Sequence, residues 1–150
     1  MKRLLGMFIA LLIAAPAVPA SANPLESLQG KKRAVLLFAR SRSDASLDRQ
    51  MAMLGEQRTG FDQRKTVVFN VAGGREPMTF IGFASLPFGA GRDLQTQFAP
   101  ASQGLTVVLV GLDGTEKGRW QHPVNPQVLF DLIDSMPIRQ EEANKPTIVN

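Results

Sequence analysis

The chain has 150 residues and a formal charge of +4, with no cysteine and a single histidine. Without cysteine it can form no disulfide and has no thiolate for redox catalysis or metal binding. Two of its basic residues, Lys2 and Arg3, lie in the amino-terminal leader, and without them the net charge falls to about +2. So small an excess does not predict nucleic-acid binding.

The first 22 residues have the order of features found in a secretion signal. A basic start precedes an almost continuous apolar run at 4–15, which Pro16 and Pro19 end before the small residues at 20–22. Signal peptidase recognises this pattern. The run is shorter than the roughly 20 apolar residues of a membrane-spanning helix, and an uncleaved anchor is the alternative. We expect a signal peptide over 1–22 and a periplasmic or secreted protein with no membrane anchor after cleavage.

The rest of the chain has the length of one compact domain, which we place at residues 23–142. Pro137 is expected to stop the last helix, and the polar stretch that begins at Ile138 offers little to order it. We therefore expect residues 143–150 to form a flexible tail.

The first half of the domain has a strand, helix, strand pattern. Apolar runs at 34–40 and 66–72 predict strands buried on both faces of a sheet. Between them, Asp44 is suited to cap a helix that we expect to end near Gly60. This order predicts a parallel pair of strands joined by a right-handed crossover.

In the second half, the segment 73–91 is rich in glycine and phenylalanine and has no sustained periodicity. A short helix is predicted at 92–98 and a third strand at 105–110. The turn after that strand leads into a hairpin partner at 115–121. Asn125-Pro126 then predicts the start of a closing helix, whose core face is expected to contain Val128, Leu129, Leu132, Ile133 and Met136.

This order of elements is that of the thioredoxin fold, an α/β three-layer sandwich with a mixed four- or five-stranded sheet flanked by helices. Three stretches narrow the resemblance: AVLLFAR at 34–40, GLTVVLVGLDGTEKGRW at 104–120 and LFDLIDSMPIRQEE at 129–142. They resemble a secreted bacterial thioredoxin-like family known as a domain of unknown function, distantly similar to the DUDES domains of animal extracellular-matrix proteins. The resemblance covers about 28–142 and implies this fold and secretion, but no reaction.

In thioredoxin relatives the reactive dithiol lies between the first strand and the first helix. Here that place holds Arg40, Ser41, Arg42, Ser43 and Asp44. Serine cannot exchange disulfides, so thiol oxidoreductase and peroxiredoxin chemistry are excluded. A helix N-terminus still favours anions, and the two arginines and two serines could hold one. The alternative is a solvated loop in which Asp44 caps the helix in the ordinary way.

Other kinds of chemistry find less support. Leu105 takes the place of the thioredoxin proline that is usually cis, and we expect a trans bond there because a non-proline cis bond costs roughly 2.5 to 4 kcal/mol. His122 is the only histidine and is interpreted as a surface residue. We expect no metal site and no cofactor. Arg139 is interpreted as a structural residue that pairs with Asp131 or Asp134.

The glycine- and phenylalanine-rich segment offers a second candidate surface. Phe80, Phe83 and Phe88, with Ile81 and Trp120, could form an exposed apolar binding face. Alternatively, these side chains pack inward as a lid over the sheet.

The sequence thus favours a binding or interaction module whose partner is a small anion or a periplasmic protein. Two alternatives stay open. One is an enzyme of unrecognised type that uses the turn at 40–44. The other is a periplasmic folding or stress-protection factor that uses the apolar segment.

The leader pattern makes a direct prediction. When the full chain is expressed with access to a secretion pathway, intact-mass analysis should find a product that begins at Asn23. An Ala22→Arg variant should retain the leader, because signal peptidase needs a small residue before the cut. Secreted wild-type protein that still carries residues 1–22 would contradict the prediction.

Overall fold

The computed structural model describes residues 23–73, 78–81, 84–85 and 89–145, with backbone alone at 78–81 and 84–85. In chain order the elements are α1 Pro24–Leu28, β1 Arg33–Ala39, α2 Ala45–Glu56, α3 Arg58–Gln63, β2 Thr66–Ala72, β3 Met78–Ile81, β4 Ala84–Ser85, α4 Ala90–Phe98, β5 Thr106–Val110, β6 Glu116–Trp120, α5 Pro126–Asp134 and α6 Pro137–Asn144.

The strands form one mixed sheet in the order β4-β3-β2-β1-β5-β6. β1 and β2 are parallel and in register from Arg33 opposite Thr66 to Ala39 opposite Ala72, and the other neighbours are antiparallel. The predicted α/β thioredoxin-like fold and its parallel strand pair are confirmed. The sheet has six strands rather than four or five, because the segment after β2 adds the short strands β3 and β4 at one edge.

β1 is buried along its whole length and separates two apolar layers. On one face, Val35 and Leu37 pack with residues of α2, α3 and α5. On the other, Leu36 and Phe38 pack with residues of α1 and α4. Because successive side chains of a strand point to opposite faces, a continuous apolar run is what a three-layer fold requires of its central strand.

The helix after β1 begins as predicted, since Asp44 Oδ1 accepts the backbone N–H groups of Ser46 at 2.9 Å and Leu47 at 3.3 Å. Its predicted end near Gly60 is wrong. α2 ends at Glu56, and a second helix, α3, runs through Gly60. This glycine allows close packing rather than stopping a helix: a Cβ there would lie 2.6 Å from Cζ of Phe130 on α5.

A buried glutamine ties α2 to the segment before α5. The Gln50 side chain is fully buried; its Nε2 donates to the Val124 carbonyl at 3.0 Å and its Oε1 accepts the Val124 N–H at 2.6 Å. Both polar atoms are therefore satisfied inside the apolar layer, as burial of an amide requires.

The closing helix α5 begins as predicted. The side chain of Asn125 accepts the N–H of Gln127, and Pro126 lies in the first turn of the helix. Its core face differs by one residue. Val128 is exposed, whereas Phe130 is buried beside Leu129 and Ile133. The apolar stripe is centred on 129 and 133, one turn apart, which leaves 128 at its rim.

The polar stretch that begins at Ile138, for which we expected little order, is helical as part of α6 Pro137–Asn144. Pro137 lies in the first turn of α6. Backbone N–H groups in a first turn have no acceptor within the helix, so a proline costs no hydrogen bond there. α6 buries no residue of its own, and an ion pair between Glu142 and the buried Arg33 ties it to the domain. The polar sequence around Glu142 does not indicate its contact with Arg33, which is 109 residues away in the chain. Of the predicted tail, residues 146–150 lie outside the described residues.

Two further findings concern the described part of the chain. The bond before Leu105 is trans, as predicted, and no described peptide bond is cis. None of the helices described is both long and apolar enough to span a membrane.

The two helical glycines near the α2–α3 junction should respond oppositely to alanine. Gly55→Ala adds a methyl group to open space and should stabilise the protein by about 0.5 kcal/mol, through helix propensity. Gly60→Ala gains the same propensity but drives Cβ into the Phe130 ring, so it should destabilise by about 1 to 3 kcal/mol. Chemical denaturation measures both changes. A Gly60→Ala protein as stable as Gly55→Ala would contradict this packing.

Candidate functional site

An open cleft lies where the parallel strands β1 and β2 end. From β1 the chain passes to α2 on one face of the sheet, while α4 covers the other face. In open α/β sheets, ligands commonly bind in the crevice outside the carboxyl ends of the strands. This cleft has a volume of about 340 Å³.

The cleft joins an apolar floor to a few polar groups. Phe38, at the end of β1, and Pro100, after α4, line it together with small residues. Arg40, Gln95 and Ser102 also line it, and Arg40 is the only charged residue among the described residues that do so. Apolar walls with a few polar groups that fix orientation are typical of small-molecule sites.

Arg40 is the residue of the predicted turn that lies on this cleft. It follows β1 directly and is exposed. Within the described residues its guanidinium makes one hydrogen bond, a long one of 3.4 Å from Nη1 to Oε1 of Gln103. A guanidinium has five N–H donors, so most of them stay available to a ligand.

Two uncharged polar side chains of the cleft are also available. The Gln95 amide, on α4, and the Ser102 hydroxyl form no hydrogen bond to any other described residue. Thr106 Oγ1 accepts the N–H of Ala101 at 3.3 Å and thereby anchors the loop that carries Ser102. The cleft therefore presents a cation, an amide and a hydroxyl.

In the rest of the predicted anion-binding turn, Ser41, Ser43 and Asp44 form hydrogen bonds within the turn and to the start of α2. The hydroxyls of Ser41 and Ser43 lie 2.9 Å apart in a hydrogen bond, and the Ser43 N–H donates to Ser41 Oγ at 3.2 Å. Asp44 occupies the first N–H groups of α2. Arg42 is exposed and does not line the cleft. Of the five predicted residues, the cleft thus contains Arg40, while the serines and Asp44 form an ordinary capped turn.

Of the predicted aromatic face, the structure tests the placement of Trp120, and the surface at Phe80, Phe83 and Phe88 stays a prediction. Phe80 lies in β3, opposite Asn70 of β2, whereas Phe83 and Phe88 lie outside the described residues. Trp120 lies in β6 at the other edge of the sheet, four inter-strand steps of roughly 4.8 Å from β3. Its ring packs beside Gly118 over the layer that contains α5, so the prediction that Trp120 joins this face is wrong.

A cluster of ion pairs, which the sequence analysis missed, lies at the opposite end of β1. Arg33 is 1% exposed, and its Nη1 donates to the Arg64 carbonyl at 2.9 Å and to Glu142 Oε2 at 3.1 Å. Lys65 donates to the other oxygen of Glu142 at 3.2 Å. A buried guanidinium needs such partners, because an unpaired buried charge is strongly destabilising. This cluster therefore has a structural role.

The neighbouring carboxylate Asp134 binds two arginines. Arg64 and Arg139 each donate from Nε to Asp134 Oδ1 at 3.1 Å, so Arg139 pairs with Asp134, as one predicted alternative held, and not with Asp131. Burial acts to raise the pKa of Asp134, but these hydrogen bonds outweigh it and hold the pKa below its ordinary value of 3.8. Arg64 also lies 4.2 Å above the Phe130 ring, which ties the cluster to α5.

Among the described residues, no group of three or more histidine, aspartate or glutamate side chains could hold a metal ion. His122 is exposed, as predicted, and its Nδ1 lies 3.0 Å from the carbonyl of Pro123.

The family pattern described as "Domain of unknown function (DUF4174)" matches residues 24–142. The chain belongs to this family. The resemblance to a thioredoxin-like family known as a domain of unknown function is therefore confirmed, whereas secretion and bacterial origin stay predictions. The match ends at Glu142, the α6 residue that forms an ion pair with Arg33.

The human sushi repeat-containing protein SRPX is 28% identical to this DUF4174 chain over 131 residues. The match covers 83% of this chain and 27% of SRPX, so the chain spans about a quarter of the length of that relative. The similarity therefore concerns one unit within a longer protein.

Among solved structures, this DUF4174 domain is similar to peroxiredoxins. Thioredoxin peroxidase I of Plasmodium yoelii has a TM-score of 0.54 at 12% identity, covering 83% of each chain. The reduced 2-Cys peroxiredoxin of Plasmodium vivax has a TM-score of 0.55 at 11% identity, covering 84% of this chain and 77% of that one. Identities this low show a shared fold, and the DUF4174 chain has no cysteine for thiol chemistry.

The ion-pair cluster predicts acid-sensitive stability. Burial acts to raise the pKa of Glu142, but hydrogen bonds from Lys65 and Arg33 outweigh it and hold the pKa below 4.5. The ionised form therefore stabilises the fold above the unfolded-state pKa, and this contribution is lost as the pH falls through the lower folded-state pKa. Glu142→Gln should destabilise by about 2 kcal/mol at pH 7.

The matched control is Glu141→Gln, since Glu141 is exposed and has no hydrogen bond or ion pair to other described residues. It should leave stability unchanged within about 0.5 kcal/mol. Urea denaturation from pH 7 to pH 3 should show wild type and Glu142→Gln converging at the acid end. A constant difference across that range would contradict the assigned ion pair.

Proposed function

We propose that the protein is an extracytoplasmic binding module that holds the acidic group of a small ligand in the cleft beside Arg40. One observation carries the proposal: Arg40 lines a cleft with an apolar floor, and its guanidinium makes one long hydrogen bond to the described residues. Proteins commonly bind carboxylate and phosphate groups through such an arginine.

The location belongs to the proposal as well. The leader pattern at 1–22 supports export, and no step of the proposed binding depends on a thiol or on a reducing compartment. In human SRPX the similar unit is part of a longer protein named for its sushi repeats. A unit that occurs inside a larger protein supports a binding or interaction role for this domain.

An enzyme of unrecognised type receives less support from the same turn. Ser41 and Ser43 bind each other, and the single histidine, His122, is hydrogen-bonded to a neighbouring carbonyl beyond β6. A serine nucleophile requires a base within hydrogen-bond reach. A folding factor would depend on the apolar segment, where Phe83 and Phe88 lie outside the described residues.

An amide NMR titration tests the anion cleft. Acetate, sulfate and phosphate, added separately, should shift the signals of Arg40, Gln95 and residues 99–102, and added sodium chloride should weaken the shifts through screening. Arg40→Gln should remove them because it removes the charge while leaving the cleft in place.

Arg42→Gln is the matched control, since it changes the same net charge at an exposed residue outside the cleft. It should retain the shifts. If Arg40→Gln and Arg42→Gln reduce binding equally, the effect is general surface electrostatics, and the cleft is not the site.

A further inference from the structure

We infer that the group recognised by the Arg40 cleft is a singly charged, planar carboxylate with an amide beside it, as in an N-acyl amino acid or at the carboxyl end of a peptide. The inference rests on the proposed function and specifies its ligand class.

Charge favours a monoanion over phosphate or sulfate. Arg40 is the one charged residue that the described part of the cleft contains. The N–H groups of Ser46 and Leu47, which could otherwise bind a phosphate at the start of α2, are taken by the Asp44 carboxylate. Among the described residues, a dianion would therefore meet one cation in the cleft and, four residues further along the chain, the negative charge of Asp44.

Geometry favours a carboxylate. The guanidinium is a planar fork whose parallel N–H groups match the two oxygens of a carboxylate. The single hydrogen bond to Gln103 uses one N–H on Nη1, which leaves donors on the remaining nitrogens for a ligand. A tetrahedral oxyanion can use this fork, but it needs further donors for its other oxygens.

The uncharged groups favour an adjoining amide. Gln95 offers a donor and an acceptor on one planar side chain, which matches the N–H and C=O of a ligand amide. Ser102 adds a hydroxyl that can donate or accept. The cleft volume of about 340 Å³ and the Phe38 and Pro100 surfaces suit a ligand with a short alkyl or acyl group.

Four small probes test the inference by NMR titration. N-acetylglycine contains both the carboxylate and the amide, N-acetylglycinamide lacks the charge, acetate lacks the amide, and phosphate is the competing oxyanion. N-acetylglycine should bind roughly tenfold more tightly than N-acetylglycinamide, which is the ratio expected of a charged hydrogen bond. It should also bind at least roughly threefold more tightly than acetate and than phosphate. N-acetyl-triglycine distinguishes the sources: tighter binding than N-acetylglycine favours a peptide end, and equal or weaker binding favours a small acyl amino acid.

Variants assign each part of the recognition. Arg40→Gln should lower N-acetylglycine binding to the level of its amide, and Gln95→Ala should lower it to the level of acetate while leaving acetate binding unchanged. The matched control is Gln97→Ala, on the same helix, where Gln97 accepts a surface hydrogen bond from Asn23 at 3.0 Å and does not line the cleft. It should bind all four probes like wild type.

Two failures are distinguishable. If phosphate binds in an Arg40-dependent manner as tightly as N-acetylglycine, the carboxylate inference is overturned while the anion cleft stands. The inference is equally overturned if Gln95→Ala binds N-acetylglycine as wild type does. If none of the three anions shifts the cleft signals, both the inference and the proposed function are overturned.

Discussion

The burial of β1 on both faces is the constraint on which the rest of the domain depends. After its first residue the strand is wholly apolar, and it packs against helices on either side. Charge can therefore enter only at its two ends, where Arg33 begins the strand and Arg40 follows it. The parallel pairing with β2 and the antiparallel pairing with β5 fix the positions of both ends.

The two arginines have different roles because their surroundings differ. Arg33 is buried, and its guanidinium is held by Glu142 and by the carbonyl of Arg64, so that end of β1 joins α3, β2 and α6. Arg40 is exposed, and in the part of the chain that the structure describes its side chain makes one long hydrogen bond, to Gln103. The first arrangement stabilises the fold, whereas the second leaves a cation available at a cleft. The turn that follows β1 therefore places a cation on that cleft and contains no thiol.

The features that could be predicted from the sequence are those with local causes. The apolar runs gave β1 and β2, and the caps at Asp44 and Asn125 gave the starts of α2 and α5. The errors concern contacts between residues that are distant in sequence. Glu142 lies 109 residues from Arg33, and because the sequence does not show this contact, the residues of α6 were predicted to be a polar tail. The cleft likewise depends on the loop near Gln103, which lies 63 residues from Arg40 in the chain. The sequence therefore indicated Arg40 as a candidate, but it could not show that Arg40 lines a cleft while the other residues of the turn do not.

The most direct test of the account is a crystal structure of the protein grown with N-acetylglycine. We expect both carboxylate oxygens within about 2.7 to 3.2 Å of the Arg40 guanidinium nitrogens, the ligand amide against Gln95 and the acetyl methyl over Phe38 or Pro100. The account would be contradicted by a ligand seated at the start of α2, or by one whose carboxylate faces solvent while Arg40 keeps its bond to Gln103.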